Sequence, residues 1–572
     1  MQTGELLRCT LAAILLAAGL AAGQVSSNIA ETIIVPGDPC RPGESFTYQR
    51  TLREKTALQT RFDVQFPSPV ASAFDPNNTV PGELYLPTGL ATNRTSPAVV
   101  CLHIMNGNFE LERLICRKLA QQGVVALFFK LPYYGERGGE AGRQRLATSV
   151  DMFIEGLEQG FADAGRAFDL LQAMPEVDPA HLGITGISLG AIEAAIVSGR
   201  DSRVNKACLM LGGGDLVRII REARETRRMR TVIETFPPAD QQRAWDYLKR
   251  IDPVNSGPSL RRMAEAGNLR MVCADEDQVI PPAAGRRLAE AAGFADGITW
   301  LEGLDHYSAL ARLPQILDDL TAFFATDVPA DWTPPVSGDA VRTPMDLLGL
   351  FLRGVTAFGG GGADPSGAHL VGADIEFMRN GSKETARFDF ARGPAGRFRL
   401  TAHLPQVGKF GMGQDVAPWL LGANETIFSG EAEGREGQSF SQFVSPDQRM
   451  RYQVALGALT AASMAPAVFS DYCTLVEKPT AGKRRTIQLR VNPRKAAGVL
   501  EMVFAHDDTP VAASWDIGGT TGKATFRYWQ IDAVMDAAAF EAPTTTQRKV
   551  VRQEDLLRMF AAVAEYLLEM TE

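Results

Sequence analysis

The stretch HLGITGISLGAIEAA, His181 to Ala195, sets a short apolar run against a sharp turn, with one serine between two glycines, followed by an alanine-rich segment. Glycine supplies 54 of the 572 residues, so any serine has roughly a 1% chance of glycines two positions away on both sides, and the G-x-S-x-G pattern alone decides nothing. Its context is more informative. Leu182 to Thr185 reads as a short buried strand, and Ala191, Ala194, Ala195 and Val197 read as a helix packed closely on a sheet. Such a strand, turn and helix would hold Ser188 in a strained backbone conformation with its hydroxyl raised above the strand end. Gly186 and Gly190 would permit the close approach this requires. Ser188 is therefore a candidate nucleophile, against the plainer reading of a serine in a tight turn.

Outward from this point the chain alternates strand and helix. ELYLP (83–87), AVVCLHI (98–104) and VVALFFKLP (124–132) read as strands, and LERLICRKLAQQG (111–123) as a helix closed by glycine. A long helical stretch is expected from about Gln144 to Met174. KACLMLGGG (206–214), LRMVCA (269–274), a helix from Pro281, a strand at ITWLEG (298–303) and a helix after His306 complete the series. This alternation predicts an α/β fold with a mostly parallel sheet covered by helices on both faces, and with sites beyond the carboxyl ends of strands. VPADWTPPVSGDA (328–340) is rich in proline and polar residues and reads as a linker. After it come an apolar helix near Met345–Phe358, a GGGG run, and alternating segments such as RFDFARG, RFRLTAHLP, RTIQLRVN, VLEMVFAHDD and KATFRYWQI. These predict a mainly antiparallel sheet with one buried face, closed by the amphipathic helix RQEDLLRMFAAVAEYLLEM. The expected boundaries are a signal peptide at 1–23, an extension with first strands at 24–79, an α/β domain at 80–327, a linker at 328–343 and an antiparallel α+β accessory domain at 344–572.

The length favours two domains. A net charge of −9 argues against general nucleic-acid binding, which needs a basic surface. No zinc-type Cys/His spacing, P-loop or dinucleotide fingerprint occurs, so no metal or other cofactor is expected. The apolar run Leu11–Ala22 with small residues Ala21 and Gly23 before Gln24 reads as a cleaved secretory signal, so export to a periplasmic or secreted location is expected. Of seven cysteines, Cys9 would leave with the signal, and Cys101, Cys208 and Cys273 lie in apolar strands where a thiol behaves as a small hydrophobe. Cys40 could pair with another exposed cysteine in an oxidising compartment.

A serine hydroxyl needs a base, and the base needs an orienting carboxylate. Six histidines are present. His181 starts the nucleophile's own strand, at the far end of the sheet, and His103 more plausibly shapes a loop. His369, His403 and His506 belong to the second domain. His306, in EGLDHYSAL at a strand–helix junction, remains as the base, with a simple helix-capping role as its alternative. The run ADEDQVIPP (274–282) supplies Asp275, Glu276 and Asp277 as candidate acids. The order Ser, Asp, His, each at a strand end, then favours Ser188, the acidic turn and His306 over a chance grouping.

With VDPAHLGITGISLGA, the acidic turn and the histidine segment in hand, residues of about 80 to 326 resemble an α/β-hydrolase. The resemblance is nearest to the dienelactone-hydrolase and acetyl-esterase-like branches. It favours Asp277, because a turn followed by x-V-I-P matches the loop that presents the acid. It also implies an oxyanion hole from the backbone N–H of Leu189 and of a residue after the third strand. Many members carry His-Gly-Gly there. This chain has His103-Ile104-Met105-Asn106-Gly107, which gives Met105 as the aligned donor, with Ile104 as the other choice. KLPYYGERGG (130–139), with Tyr133, Tyr134 and Arg137, would lie beside the site or form a structural loop, and Tyr134 is taken as a substrate contact. The second domain resembles, more weakly, the LolA-like fold of lipoprotein carriers through RFRLTAHLP (397–405), the tryptophan in DVAPWLLG (415–422) and DAAAFEAP (536–543). That resemblance implies a lipid or lipoprotein partner, although another β-rich accessory domain is an equal reading.

The expected function is an exported serine hydrolase cleaving a carboxylic ester on a small molecule or polysaccharide. Two alternatives accompany it. One is a prolyl-oligopeptidase-type peptidase, whose β-propeller has no counterpart before this domain. The other is a non-catalytic lipid or lipoprotein binder. In LVRIIREARETRRMR (216–230), Arg218, Arg221, Arg224 and Arg228 are spaced by three or four, so one helix would align them. The stripe is either a solvated face or, through Arg221 and Arg224, an attractor for anionic substrates.

Overall fold

A computed structural model describes residues 30–36, 45–333, 343–430, 463 and 473–559. Short breaks occur at 57, 90–94, 106–107, 146–147, 224, 360–366, 380–381, 395–396, 405–407, 416, 423, 480–483, 492–497, 518–519, 545–546, 553–554 and 557. The expected signal segment, Cys40, Arg224 and most of the closing helix lie outside the described residues. The chain divides into two compact units near residue 340.

The first unit is built on a ten-stranded sheet. Its strands are β1 (Ala30–Val35), β2 (Phe46–Lys55), β3 (Gln59–Pro67), β4 (Thr79–Pro87), β5 (Ser96–Leu102), β6 (Val125–Phe129), β7 (Val177–Ile187), β8 (Val204–Met210), β9 (Leu269–Ala274) and β10 (Ile298–Leu301). They lie in the order β1-β2-β3-β4-β6-β5-β7-β8-β9-β10. β1 to β4 and the β4–β6 pair are antiparallel, and from β6 to β10 the strands run parallel. Every residue of β5 and β6 is buried, as expected for strands with helices on both faces.

The helices of this unit are α1 (Glu110–Gln121), α2 (Gly139–Arg145), α3 (Val150–Gln172), α4 (Leu189–Arg200), α5 (Leu216–Glu222), α6 (Arg227–Thr235), α7 (Pro238–Arg250), α8 (Gly257–Glu265), α9 (Pro282–Ala291) and α10 (Leu313–Ala325). The helical stretch expected from Gln144 to Met174 is in fact α2 followed by α3. Ser149 makes the separation by capping α3, its side chain accepting from the Met152 N–H at 3.2 Å. α4 is buried from Gly190 to Ser198, which its small side chains allow. Leu102, Leu127, Ile184, Leu209 and Met271 from five adjacent strands share one apolar core.

The expected single helix across 216–230 is two helices, so no one helix aligns Arg218 and Arg221 with Arg228. α5 ends at Glu222, where the Thr226 hydroxyl and the Arg230 guanidinium cap its last carbonyls. Thr226 Oγ1 donates to Ile219 and Ile220 at 3.1 Å, and Arg230 donates to Ile220 and Arg221. Arg218 instead pairs with Glu222 within α5 at 2.9 Å.

Among the described residues, the second unit has α11 (Pro344–Gly359) and twelve strands. These are β11 (Ala368–Arg379), β12 (Ser382–Arg392), β13 (Phe398–Leu404), β14 (Gly408–Gln414), β15 (Pro418–Leu421), β16 (Thr426–Gly430), β17 (Cys473–Lys478), β18 (Arg485–Val491), β19 (Gly498–Phe504), β20 (Pro510–Ile517), β21 (Thr520–Ala533) and β22 (Gln547–Val551). They form one sheet in the order β17-β18-β19-β20-β21-β11-β12-β13-β14-β15-β16-β22. It is antiparallel except where β22 runs parallel to β16. Leu347, Leu348, Phe351 and Leu352 of α11 cover Leu475, Ile487, Leu489, Met502 and Phe504 of the sheet. Trp419 is buried, and its indole Nε1–H donates to the Phe540 carbonyl at 3.0 Å, joining two segments 121 residues apart.

Candidate active site

β7 runs out at Ile187, and Ser188 turns the chain into α4 with φ 56° and ψ −116°. A non-glycine residue held there stores about 1–3 kcal/mol of backbone strain, and it persists only because its surroundings fix it. The Ser188 N–H donates to the Met210 carbonyl at 2.8 Å, at the end of the adjacent strand β8. A Cβ on Gly186 would stand 2.3 Å from the Gly190 carbonyl carbon, and one on Gly190 would stand 2.2 Å from the Leu102 oxygen. The two glycines let the turn close on itself and on the end of β5. The serine is left half-buried, at the carboxyl edge of the parallel strands.

The turn after β9 contributes Asp277, which is 4% exposed. Its Oδ1 accepts from the Val279 and Ile280 N–H groups, both at 2.8 Å, so the carboxylate is locked by its own turn. Asp275, the rival candidate, is occupied elsewhere. Its Oδ1 accepts from the Gly303 N–H at 2.7 Å and ties the acid turn to the loop after β10. The Glu276 N–H adds a second tie, to the Leu304 carbonyl at 3.0 Å. In that loop the Asp305 carboxylate accepts from the Tyr307 and Ser308 N–H groups at 2.9 and 2.7 Å, a tight turn that presents His306.

These three strand ends bring the polar side chains together. His306 Nδ1 lies 2.7 Å from Asp277 Oδ2, and His306 Nε2 lies 3.0 Å from Ser188 Oγ. Because Asp277 Oδ2 accepts, the proton sits on Nδ1, which leaves Nε2 free to accept from the serine hydroxyl. His306 and Asp277 are both nearly enclosed, so the relay is shielded from water.

The two expected backbone donors lie on α4 and on the loop after β5. The Leu189 N–H opens α4, where the first amides have no helical partner. In the loop after β5 the two candidates, Ile104 and Met105, differ in their partners. The Ile104 N–H donates to Glu112 Oε1 at 2.9 Å and its carbonyl accepts from His103 Nδ1 at 2.8 Å, so Ile104 is fully occupied. The Met105 N–H has no partner among the described residues. His103 is buried, and its Nε2 accepts from the Leu131 N–H at 3.1 Å. Burial, helped by Lys130 and Arg137 and opposed by the Ile104 carbonyl, lowers its pKa to about 4, so the ring is neutral and fixed as the Nδ1–H tautomer.

The segment 130–139 is mainly structural. Arg137 is fully buried on Asp163 at 2.7 Å, and Tyr133 is 1% exposed. Tyr134 remains half-buried, its ring edge-on to His103 with centroids 4.6 Å apart. Arg221 is exposed and stacks over Trp245 at 4.7 Å. Sequence reasoning missed Glu112, because a helical acid eight residues beyond a loop carries no signal that it turns inward. It also missed Asp305, whose only signal was the Asp-His-Tyr-Ser turn composition.

Residues 84–245 match the Dienelactone hydrolase family. No curated protein matches the chain. Among solved structures, an acetyl xylan esterase from Paenibacillus sp. R4 is similar at 18% identity, covering 49% of this chain and 88% of that one, with a TM-score of 0.37. A glucuronoyl esterase from Solibacter usitatus is similar at 15% identity over 51% and 88%, with a TM-score of 0.36. Acetyl xylan esterase 1 from Thermoanaerobacterium sp. JW/SL YS485 is similar at 15% over 49% and 88%, with a TM-score of 0.34. With the family match on its central strands, the first unit has the α/β-hydrolase fold, and the match supports a hydrolase.

Proposed function

We propose that this protein is an exported serine hydrolase that cleaves a carboxylic ester through a covalent acyl-enzyme. The observation that carries the reading is the unbroken relay from Asp277 through His306 to Ser188, at 2.7 and 3.0 Å. Ser188 Oγ attacks the ester carbonyl while its proton passes to His306 Nε2, and Asp277 holds the imidazolium that forms. The carbonyl oxygen becomes an oxyanion received by the Leu189 and Met105 N–H groups. Each such donor supplies about 3–4 kcal/mol of transition-state stabilisation. His306 then returns the proton to the departing alcohol. Water, deprotonated by the same histidine, releases the carboxylic acid and restores Ser188.

The substrate class is a small-molecule or polysaccharide-borne ester, with Tyr134 beside His103 as its contact. Arg221 and Arg224 remain the proposed elements of an anion-attracting surface, since Arg218 is paired within its own helix. For the second unit, a LolA-like lipid- or lipoprotein-binding role is supported by an antiparallel sheet covered by one apolar helix. It is also supported by the Trp419 to Phe540 bond, which joins two of the three segments that suggested it. Export rests on the apolar segment Leu11–Ala22. The test is a panel of acyl esters of graded chain length, acetylated sugars and peptide amides offered to the purified protein. Turnover of esters well above amides is expected, and turnover of amides alone would overturn the ester assignment.

A further inference from the structure

α1 places a carboxylate where solvent would normally be expected. Glu112 is 2% exposed, and its Oε1 accepts the Ile104 N–H while Oε2 has no hydrogen-bond partner among the described residues. Burial raises its pKa to about 7, against the opposing pull of the Ile104 N–H and Arg113. An enclosed acid with one unpaired oxygen destabilises a fold, since an apolar side chain of the same size would avoid the desolvation.

What the group gains is a hold on one of the two peptides that flank Ile104. Both polar groups of Ile104 are held by buried side chains, its N–H by Glu112 and its carbonyl by His103. The peptide between Ile104 and Met105 is trans, so its carbonyl and the Met105 N–H point in opposite directions. Fixing the carbonyl fixes the donor. This loop also abuts the elbow, because a Cβ on Gly190 would stand 3.1 Å from the His103 oxygen. His103 is itself wedged edge-on between Phe109 and Tyr134, at 5.1 and 4.6 Å. The lock therefore has two arms, one on each side of Ile104.

The geometry points to Glu112 as a positioning residue of the active site, an acceptor on α1 that fixes the peptide before Ile104 while His103 fixes the one after it, so that the two together keep the Met105 N–H aimed as the second oxyanion donor. The inference rests on the serine-hydrolase reading above. It separates from a merely structural role because stability and rate should move in opposite directions.

Glu112→Met fills the same volume without an acceptor, and Glu112→Gln keeps one. The Met variant should lose about 10²-fold in kcat with little change in KM, as on loss of one oxyanion donor. Its affinity for a trifluoromethyl ketone, whose hemiketal oxygen occupies the same position, should fall in proportion, and its thermal midpoint should equal or exceed that of the parent. The Gln variant should stay within about threefold of the parent in kcat, because the amide oxygen still accepts. A folded Met variant that keeps both rate and ketone affinity overturns the inference, as does a Gln variant that falls as far as Met. Should the Met variant not fold, amide exchange in the unaltered protein decides: slow exchange at Ile104 is expected, and exchange as fast as an exposed amide overturns it. An unaltered protein with neither turnover nor covalent labelling would sink the hydrolase reading itself.

Discussion

The two sheets deal with polar side chains in opposite ways. In the first unit, parallel strands end on one edge, and residues 118 and 29 positions apart in sequence converge there on His306. In the second, antiparallel strands spread charge along the sheet and cancel it across adjacent or next-but-one strands. Arg387 meets Asp374 at 2.9 Å, Arg527 meets Asp389 at 2.8 Å and Lys383 meets Glu376 at 2.8 Å. A groove of ≈ 490 Å³ runs over this surface, lined by Asp374, Arg387, Asp389, Thr401, His403 and Lys409, yet its acids are already matched by bases. On the proposed reading, convergence gives a site whose residues govern rate, and cancellation a surface whose residues govern stability.

The contrast can be broken first at the acid. Asp277→Asn should lower kcat on the order of 10⁴-fold, because an amide favours the wrong histidine tautomer, and the protein should stay folded. Asp275→Asn, which touches only the Gly303 amide, should leave most of the rate. Steady-state kinetics on the two variants check this, and the reverse ranking would show that the acid turn works in another register.

His103 sharpens the comparison through pH. Its folded pKa, about 4, lies below the ordinary value of 6.5, so below pH 6.5 the unfolded chain takes up a proton that the folded protein refuses. Its contribution is therefore complete above about pH 6.5 and declines as pH falls toward 4, by roughly 2–3 kcal/mol. Denaturant unfolding of the parent and of His103→Gln across this range should show their stability difference shrinking on acidification. A difference independent of pH would mean that the ring is not held neutral.

In the second unit, Trp419→Phe removes the indole donor and strands the buried Phe540 carbonyl. A loss of about 1–3 kcal/mol in that unit's unfolding, with kcat unchanged, is expected. A fall in kcat without a loss of stability would break the division of labour between the units. The smallest effect concerns Arg221. Arg221→Glu should lower kcat/KM several-fold more for an anionic ester than for a neutral one, and the gap should narrow as salt screens it. Equal effects on both esters would make Arg221 part of a solvated face.

The legibility of the sequence follows the same contrast. The parallel strands were readable because burial on both faces leaves continuous apolar runs, as in VVALFFKLP. The meeting of Ser188, Asp277 and His306 was readable because few histidines compete and each partner follows a strand. The break between α5 and α6 was not, because arginine spacing continues unbroken through it while the stop signal, Thr226 folding back on Ile219 and Ile220, is a matter of side-chain geometry. Glu112 escaped for a related reason: whether a helical acid faces water or a loop depends on how the helix is set against the sheet. In the second unit, alternation revealed the strands, but their order, with β11 between β12 and β21, is fixed by long-range pairing that no local pattern encodes.

The central claim, that the strained elbow makes Ser188 a nucleophile, is tested most directly by treating the protein with a fluorophosphonate and mapping the modified peptide by mass spectrometry. Stoichiometric modification of Ser188, with loss of ester turnover in parallel and no modification or turnover in a folded Ser188→Ala variant, is the predicted result. Absence of labelling in active protein, labelling at another residue, or ester turnover near the parent rate in Ser188→Ala would contradict it.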